Sequence, residues 1–146
     1  MLFQLLTGGL VSLVNFAIHV SMAGVIVVLT RHVAGRTDDL HVFLRVTALQ
    51  MITVVALALA HLVEIAVWAA FLHLMGIAAP NVPNFVFAFE NYTALGYGDV
   101  VAGEGWRLIG PVMALNGLLL IGISVALIFE VMKLANVQIE DRKKRG

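Results

Sequence analysis

The chain has 146 residues, 61% of them hydrophobic and 12% charged, with nine basic and nine acidic residues in formal balance. A soluble globule of this length cannot bury so much apolar surface, so the composition excludes a water-soluble domain and indicates an integral membrane protein. Neutral charge gives no footing for nucleic acid as a partner, and the lack of cysteine excludes a disulfide framework or a thiolate metal site.

Residues 1–7 lack the basic residues that begin a secretory signal and read as the start of a retained helix. The first apolar segment covers about 5–30 and carries no charge beyond a proton on His19. Arg31 to Asp39 breaks the run and reads as a short polar loop. The second segment, 46–75, exceeds the ~20 residues of a perpendicular span, so it tilts or projects beyond the lipid. Residues 76–84, with Pro80 and Pro83, form an extended turret. A short amphipathic helix follows over 84–93, with Asn84 as candidate cap and Phe85 and Phe89 on one face. The third span covers 107–135, and the tail from Ile139 is polar.

The basic residues orient this arrangement. Arg31, Arg36, Arg45, Lys133, Arg142, Lys143, Lys144 and Arg145 fall on one side of a three-span chain, and only Arg107 falls on the other. Basic residues mark the cytoplasmic side, so the N-terminus is expected outside and the C-terminus in the cytoplasm of a cell-membrane protein. Trp68 and Trp106 then stand toward the outer ends of their spans, where interfacial tryptophans are expected. The cluster Arg142 to Arg145 is an orientation signal that touches anionic headgroups.

Several polar side chains lie within the apolar segments. Asn15 and His19 are one turn apart near the middle of the first span, and His61 and Glu64 share a face near the middle of the second. Ionisable groups at membrane depth are costly and turn toward a partner. Two readings stand: a hydrogen-bonded cluster that docks the first helix, or a proton-sensitive switch or metal site built on histidine and carboxylate.

The stretch Glu90-Asn91-Tyr92-Thr93-Ala94-Leu95-Gly96-Tyr97-Gly98-Asp99 lies between two spanning segments, yet its glycines suit neither helix nor strand. Non-helical backbone at membrane depth survives only buried in protein or lining a watery path. Thr-Ala-Leu-Gly-Tyr-Gly-Asp resembles the selectivity filter of the tetrameric pore-loop potassium channels, and their two-helix organisation can be laid over roughly 46–134. The resemblance implies an all-α integral membrane fold. Three transmembrane helices, a re-entrant pore helix over 84–93 and a filter would make a homotetrameric channel with an extra N-terminal helix. Its parts are 1–45, the first helix and cytoplasmic loop; 46–135, the pore domain; and 136–146, the basic tail.

The resemblance assigns the backbone carbonyls of Thr93, Ala94, Leu95, Gly96, Tyr97 and Gly98 as rings of potassium ligands that replace the ion's water. Glycine meets the need for positive φ without a side-chain clash. Ala94 stands where the family's second threonine donates a hydroxyl to the innermost ion site, which leaves a weakly selective cation channel as an alternative. Glu90 and Asp99 match a carboxyl pair behind the filter that would share a proton. Gly117 matches the hinge of the inner helix, with close packing as its other reading. Asn116 and Glu130 fall where they would face the permeation path. Potassium is then the permeant ion, with no organic cofactor and no enzymatic step. A non-conducting membrane sensor or scaffold working through His19, His61 and Glu64 is the rival from another class.

Overall fold

The computed structural model describes residues 1–36, 42–77, 81–96 and 101–143, with the side chains of 34–36, 42 and 134–143 left undescribed. It contains α1 (Leu2–Arg36), α2 (Val42–Leu74), α3 (Asn84–Tyr92) and α4 (Ile109–Lys143). Three of these are long and apolar enough to cross a membrane, over Leu2–Val33, Phe43–Leu74 and Ile109–Lys133. A 32-residue span is about 48 Å long at 1.5 Å per residue, well beyond a hydrocarbon core of ~30 Å. The first two spans therefore tilt or carry their ends past the lipid. At nine residues, α3 is too short to cross.

The long helices outrun their expected limits. The expected polar loop is helical as far as Arg36, and residues 37–39 lie outside the described residues. No proline stands between Arg31 and Arg36, and basic side chains at a helix C-terminus are favoured by its dipole. The same reasoning covers α4, whose backbone stays helical from the apolar span through to Lys143, into the polar tail. At α3 the expected cap is corrected: Asn84 is the first helical residue, and Pro83 holds the N-cap position with no side-chain cap hydrogen bond. The Pro83 carbonyl accepts the Phe87 N–H at 3.0 Å, and its φ of −58° is the fixed value of the ring.

Helix α3 wedges between α2 and α4, while α1 packs on α2 and α4 and, among the described residues, makes no contact with α3. Ile65, Trp68 and Leu72 of α2, Phe87, Ala88 and Tyr92 of α3, and Ile109, Met113 and Leu120 of α4 form the main core. A smaller cluster at the other end joins Leu49 and Val131, with Val33 and Val46 against it. Trp68, expected at the interface, is instead wholly buried. Trp106 is half-buried, and its ring meets Phe3 at 5.9 Å and Phe71 at 6.1 Å.

Two close approaches fix α1 and α3 on α4. Gln4 donates from Nε2 to the Gly105 carbonyl and accepts the Leu108 N–H on Oε1 at 3.2 Å. That amide precedes α4 and has no helical partner of its own, so the start of α1 caps the start of α4. On another face of α4, a Cβ at Gly110 would press on the Asn91 side chain, and one at Gly117 would overlap the Tyr92 carbonyl. These glycines stand two turns apart on one face and make the groove that receives the end of α3. In this conformation α4 runs unbroken through Gly117.

Gly117→Ala is expected to force α3 off α4 and lower the stability of the purified protein by about 1–3 kcal/mol, as overpacking does. A Cβ at Gly122 meets nothing within 4 Å, so Gly122→Ala should be neutral or stabilising by up to about 1 kcal/mol. Thermal unfolding in detergent separates the two.

Candidate functional site

All four helices meet at Glu64. Its side chain is completely buried on α2, at a depth where an unpaired charge is expensive. His19 Nδ1 of α1 lies 2.8 Å from Oε1. His61 Nδ1, one turn back on α2, lies 3.0 Å from Oε2. The Tyr92 hydroxyl, at the end of α3, donates to the same Oε2 and stands 2.8 Å from His61 Nδ1. The far nitrogens of both rings converge on α4, where Ser124 Oγ is 2.9 Å from His61 Nε2 and 3.3 Å from His19 Nε2. The two imidazole centroids are 5.2 Å apart.

A second polar layer lies one turn away. Asn15 donates from Nδ2 to the Glu64 backbone carbonyl and to Asn116 Oδ1, each at 3.2 Å. Trp68 Nε1 donates to Asn116 Oδ1 at 3.0 Å, which accounts for its burial in the core. Asn15 Oδ1 has no hydrogen-bond partner among the described residues.

The expected set Asn15, His19, His61 and Glu64 is thus brought together, and Asn116 joins it. Asn116 corrects an expectation: its side chain turns into the bundle and is 5% exposed, whereas Glu130 is exposed. The two do not share an open face. Tyr92 and Ser124 belong to the cluster and were not singled out from sequence. A lone serine on an apolar helix carries no signal, but Tyr92 sits in a short helix between two spans, where a buried tyrosine hydroxyl needs a partner.

At the filter segment, Thr93 closes α3, with its N–H bonded to the Phe89 carbonyl at 3.1 Å and its hydroxyl turned back to the same carbonyl at 2.9 Å. The chain then reverses. Ala94 N–H reaches the Asn91 carbonyl at 2.9 Å, and Leu95 and Gly96 N–H reach that of Glu90 at 3.0 and 3.4 Å. Ala94 takes φ +55° and Gly96 φ +40°. The left-handed value is free for glycine, whereas an alanine there carries a cost of about 1–3 kcal/mol. Leu95 and Gly96 are exposed on this chain, and Glu90 is half-buried. Tyr97, Gly98 and Asp99 lie outside the described residues.

The profile of a family described as ion channel matches residues 60–133, half of the chain, from the middle of α2 through α3 to Lys133 on α4. The chain belongs to the ion channel family. Its matched part is the two-helix channel domain of potassium-channel type, and as a channel it moves ions rather than turning over a substrate. No curated protein and no solved structure matches the chain. The matched range takes in His61, Glu64, Tyr92 and Ser124, while α1, with Asn15 and His19, lies outside it. The cluster therefore joins the channel domain to its additional helix, and three spans make this a multi-pass membrane protein.

Because Glu64 is held from three other side chains, Glu64→Ala leaves a histidine pair without its anion and should cost about 3–5 kcal/mol, the range for a broken buried pair. Tyr92→Phe removes one donor and should cost about 1–3 kcal/mol. The double variant should fall short of the sum by more than 0.5 kcal/mol, since the groups share one network. Thermal unfolding in detergent reads all three.

Proposed function

We propose that this channel is a potassium-selective homotetramer that conducts passively through the carbonyls of residues 93–98. The observation that carries the reading is the end of α3. The helix stops at Tyr92, one residue before Thr-Ala-Leu-Gly-Tyr-Gly-Asp, and the backbone turns with Gly96 at positive φ inside the family-matched range. The amides of residues 93–96 are bonded back to α3, which leaves the carbonyls of the segment to find partners in a low-dielectric setting, at a cost of roughly 2–7 kcal/mol for each left unmatched. Four copies around an axis resolve this by giving the carbonyls a dehydrated cation. Leu115, Leu118 and Leu119 of α4 are exposed on the single chain, which suits a helix that meets neighbouring copies or lipid.

In this assembly the C-terminal ends of four α3 helices point toward a central cavity, and their dipoles favour a cation there. Glu130 on α4 adds negative charge near the inner mouth, and Glu90 with Asp99 braces the filter from behind. Gly117 serves as the point where α4 bends when the pore opens, released from the Tyr92 carbonyl that now occupies its open side. The N-terminus faces outward and the basic tail faces the cytoplasm, against anionic lipid headgroups. Ala94 is the observation that favours a second reading, a cation channel with weak potassium selectivity, since no ring of threonine hydroxyls stands at the inner ion site.

Flux from vesicles reconstituted with the full chain tests this. Potassium flux well above sodium flux is the expected result; equal fluxes favour the second reading, and flux of neither ion overturns both. Gly96→Ala should abolish flux, because a side chain at φ +40° strains the turn. Ala94→Thr should raise the potassium-to-sodium ratio by restoring the hydroxyl ring.

A further inference from the structure

We propose that His19, His61 and Glu64 form a binding site for a divalent transition-metal ion of the zinc class, buried between α1 and α2 and braced by Ser124. The ligand atoms of these three residues lie within 4.8 Å of one another. Both Nδ1 atoms face one carboxylate, at 2.8 and 3.0 Å. Tetrahedral zinc with bonds of about 2.0–2.2 Å needs ligand atoms roughly 3.4 Å apart. The two nitrogen-to-carboxylate distances fall about half an ångström short of this spacing, and side-chain rotations must bring both Nδ1 atoms and one carboxylate oxygen around a single point.

The proton inventory can be closed in two ways, by an extra proton on one ring or by a metal. A neutral imidazole has one N–H. If both Nδ1 atoms donate to Glu64, both Nε2 atoms become acceptors that face Ser124, whose hydroxyl has a single proton. One buried nitrogen is then left unpaired, or one ring must hold a second proton. With a metal on both Nδ1 lone pairs and on the carboxylate, both Nε2–H groups donate to the two lone pairs of Ser124 Oγ, at 2.9 and 3.3 Å. Every polar group named then has a partner. A hydrogen bond to the far nitrogen of each ligating histidine is the usual means of fixing tautomer and ring orientation in metal sites.

Imidazole and carboxylate without thiolate suit zinc, cobalt or nickel rather than calcium or magnesium. Tyr92, at 2.8 Å from His61 Nδ1, stands beside the fourth position, which its hydroxyl or a water fills. His61 is the partly exposed member of the set, with its side chain 19% exposed, whereas those of His19 and Glu64 are fully buried. Binding of the ion does not depend on the ion-path reading, so its test needs no flux.

Cobalt(II) is titrated into the full-length purified protein in detergent, both as the native chain and with His32, His41 and His73, the remaining histidines, replaced by alanine. Both forms should bind one equivalent per chain, with visible d–d bands of a four-coordinate site that zinc abolishes. Glu64→Gln and His61→Gln should lose the bands while the protein elutes at its native size, and Ser124→Ala should weaken binding about tenfold. The triple replacement leaves the cluster untouched, so its result holds even where a cluster variant does not assemble. No four-coordinate spectrum in the native chain overturns the proposal, as does a spectrum lost in the triple replacement and kept in Glu64→Gln. In either case a proton completes the network.

Discussion

A carboxylate at membrane depth must be matched by donors, and Glu64 is matched by side chains from two other helices and its own. His19 supplies one donor, His61 another and the Tyr92 hydroxyl a third, while Ser124 holds the backs of both rings. Apolar packing distinguishes poorly among ways of stacking helices in lipid, because lipid tails are as apolar as leucine. The cluster does distinguish. It meets its hydrogen-bond needs only when α1, α2, the end of α3 and the middle of α4 stand at one depth and one rotation. The register of the bundle therefore follows from one acidic residue and its partners.

Helix α3 is the element that most needs such a fix. It is short, does not cross the membrane, and ends where the ion-path motif starts. Its last residue is gripped from two sides: the hydroxyl of Tyr92 by Glu64, and its carbonyl by the bare backbone at Gly117. Side-chain polarity on one flank and missing side-chain bulk on the other place the end of α3 and the turn that follows it. Gly110 does the same for Asn91. The placement of the segment after α3 thus depends on contacts made by α2 and α4.

Much of this was legible in the sequence. Three apolar runs and a short helix before Gly96 gave the elements, and the paired spacings Asn15 with His19 and His61 with Glu64 gave half the cluster. Helix limits were less legible, because Arg31 to Arg36 holds no proline, and its one glycine, Gly35, does not end the helix. Asn116 was placed on the wrong side of α4, since one polar residue in an apolar helix does not say which neighbour it faces. Ser124 and Gln4 gave no signal, because their roles depend on contacts with distant parts of the chain, 63 and 105 residues away for Ser124 and 101 for Gln4. Trp68 was misjudged for a related reason: the rule for interfacial tryptophans assumes no buried acceptor, and Asn116 provides one.

The helix outside the family-matched range supplies His19 and Asn15, and this bears on how the protein is made. A charged side chain at the centre of a span adds about 2.5–3.5 kcal/mol to its insertion on translocon scales. Helix α2 is apolar enough to span despite Glu64, and within α2 itself only His61 is at hand to match the carboxylate. Tyr92 and Ser124 are synthesised later, whereas His19 has already left the ribosome. The additional first helix thus holds a partner for Glu64 that precedes it in the chain, so the acid of α2 can be matched by α1 before α3 and α4 are made.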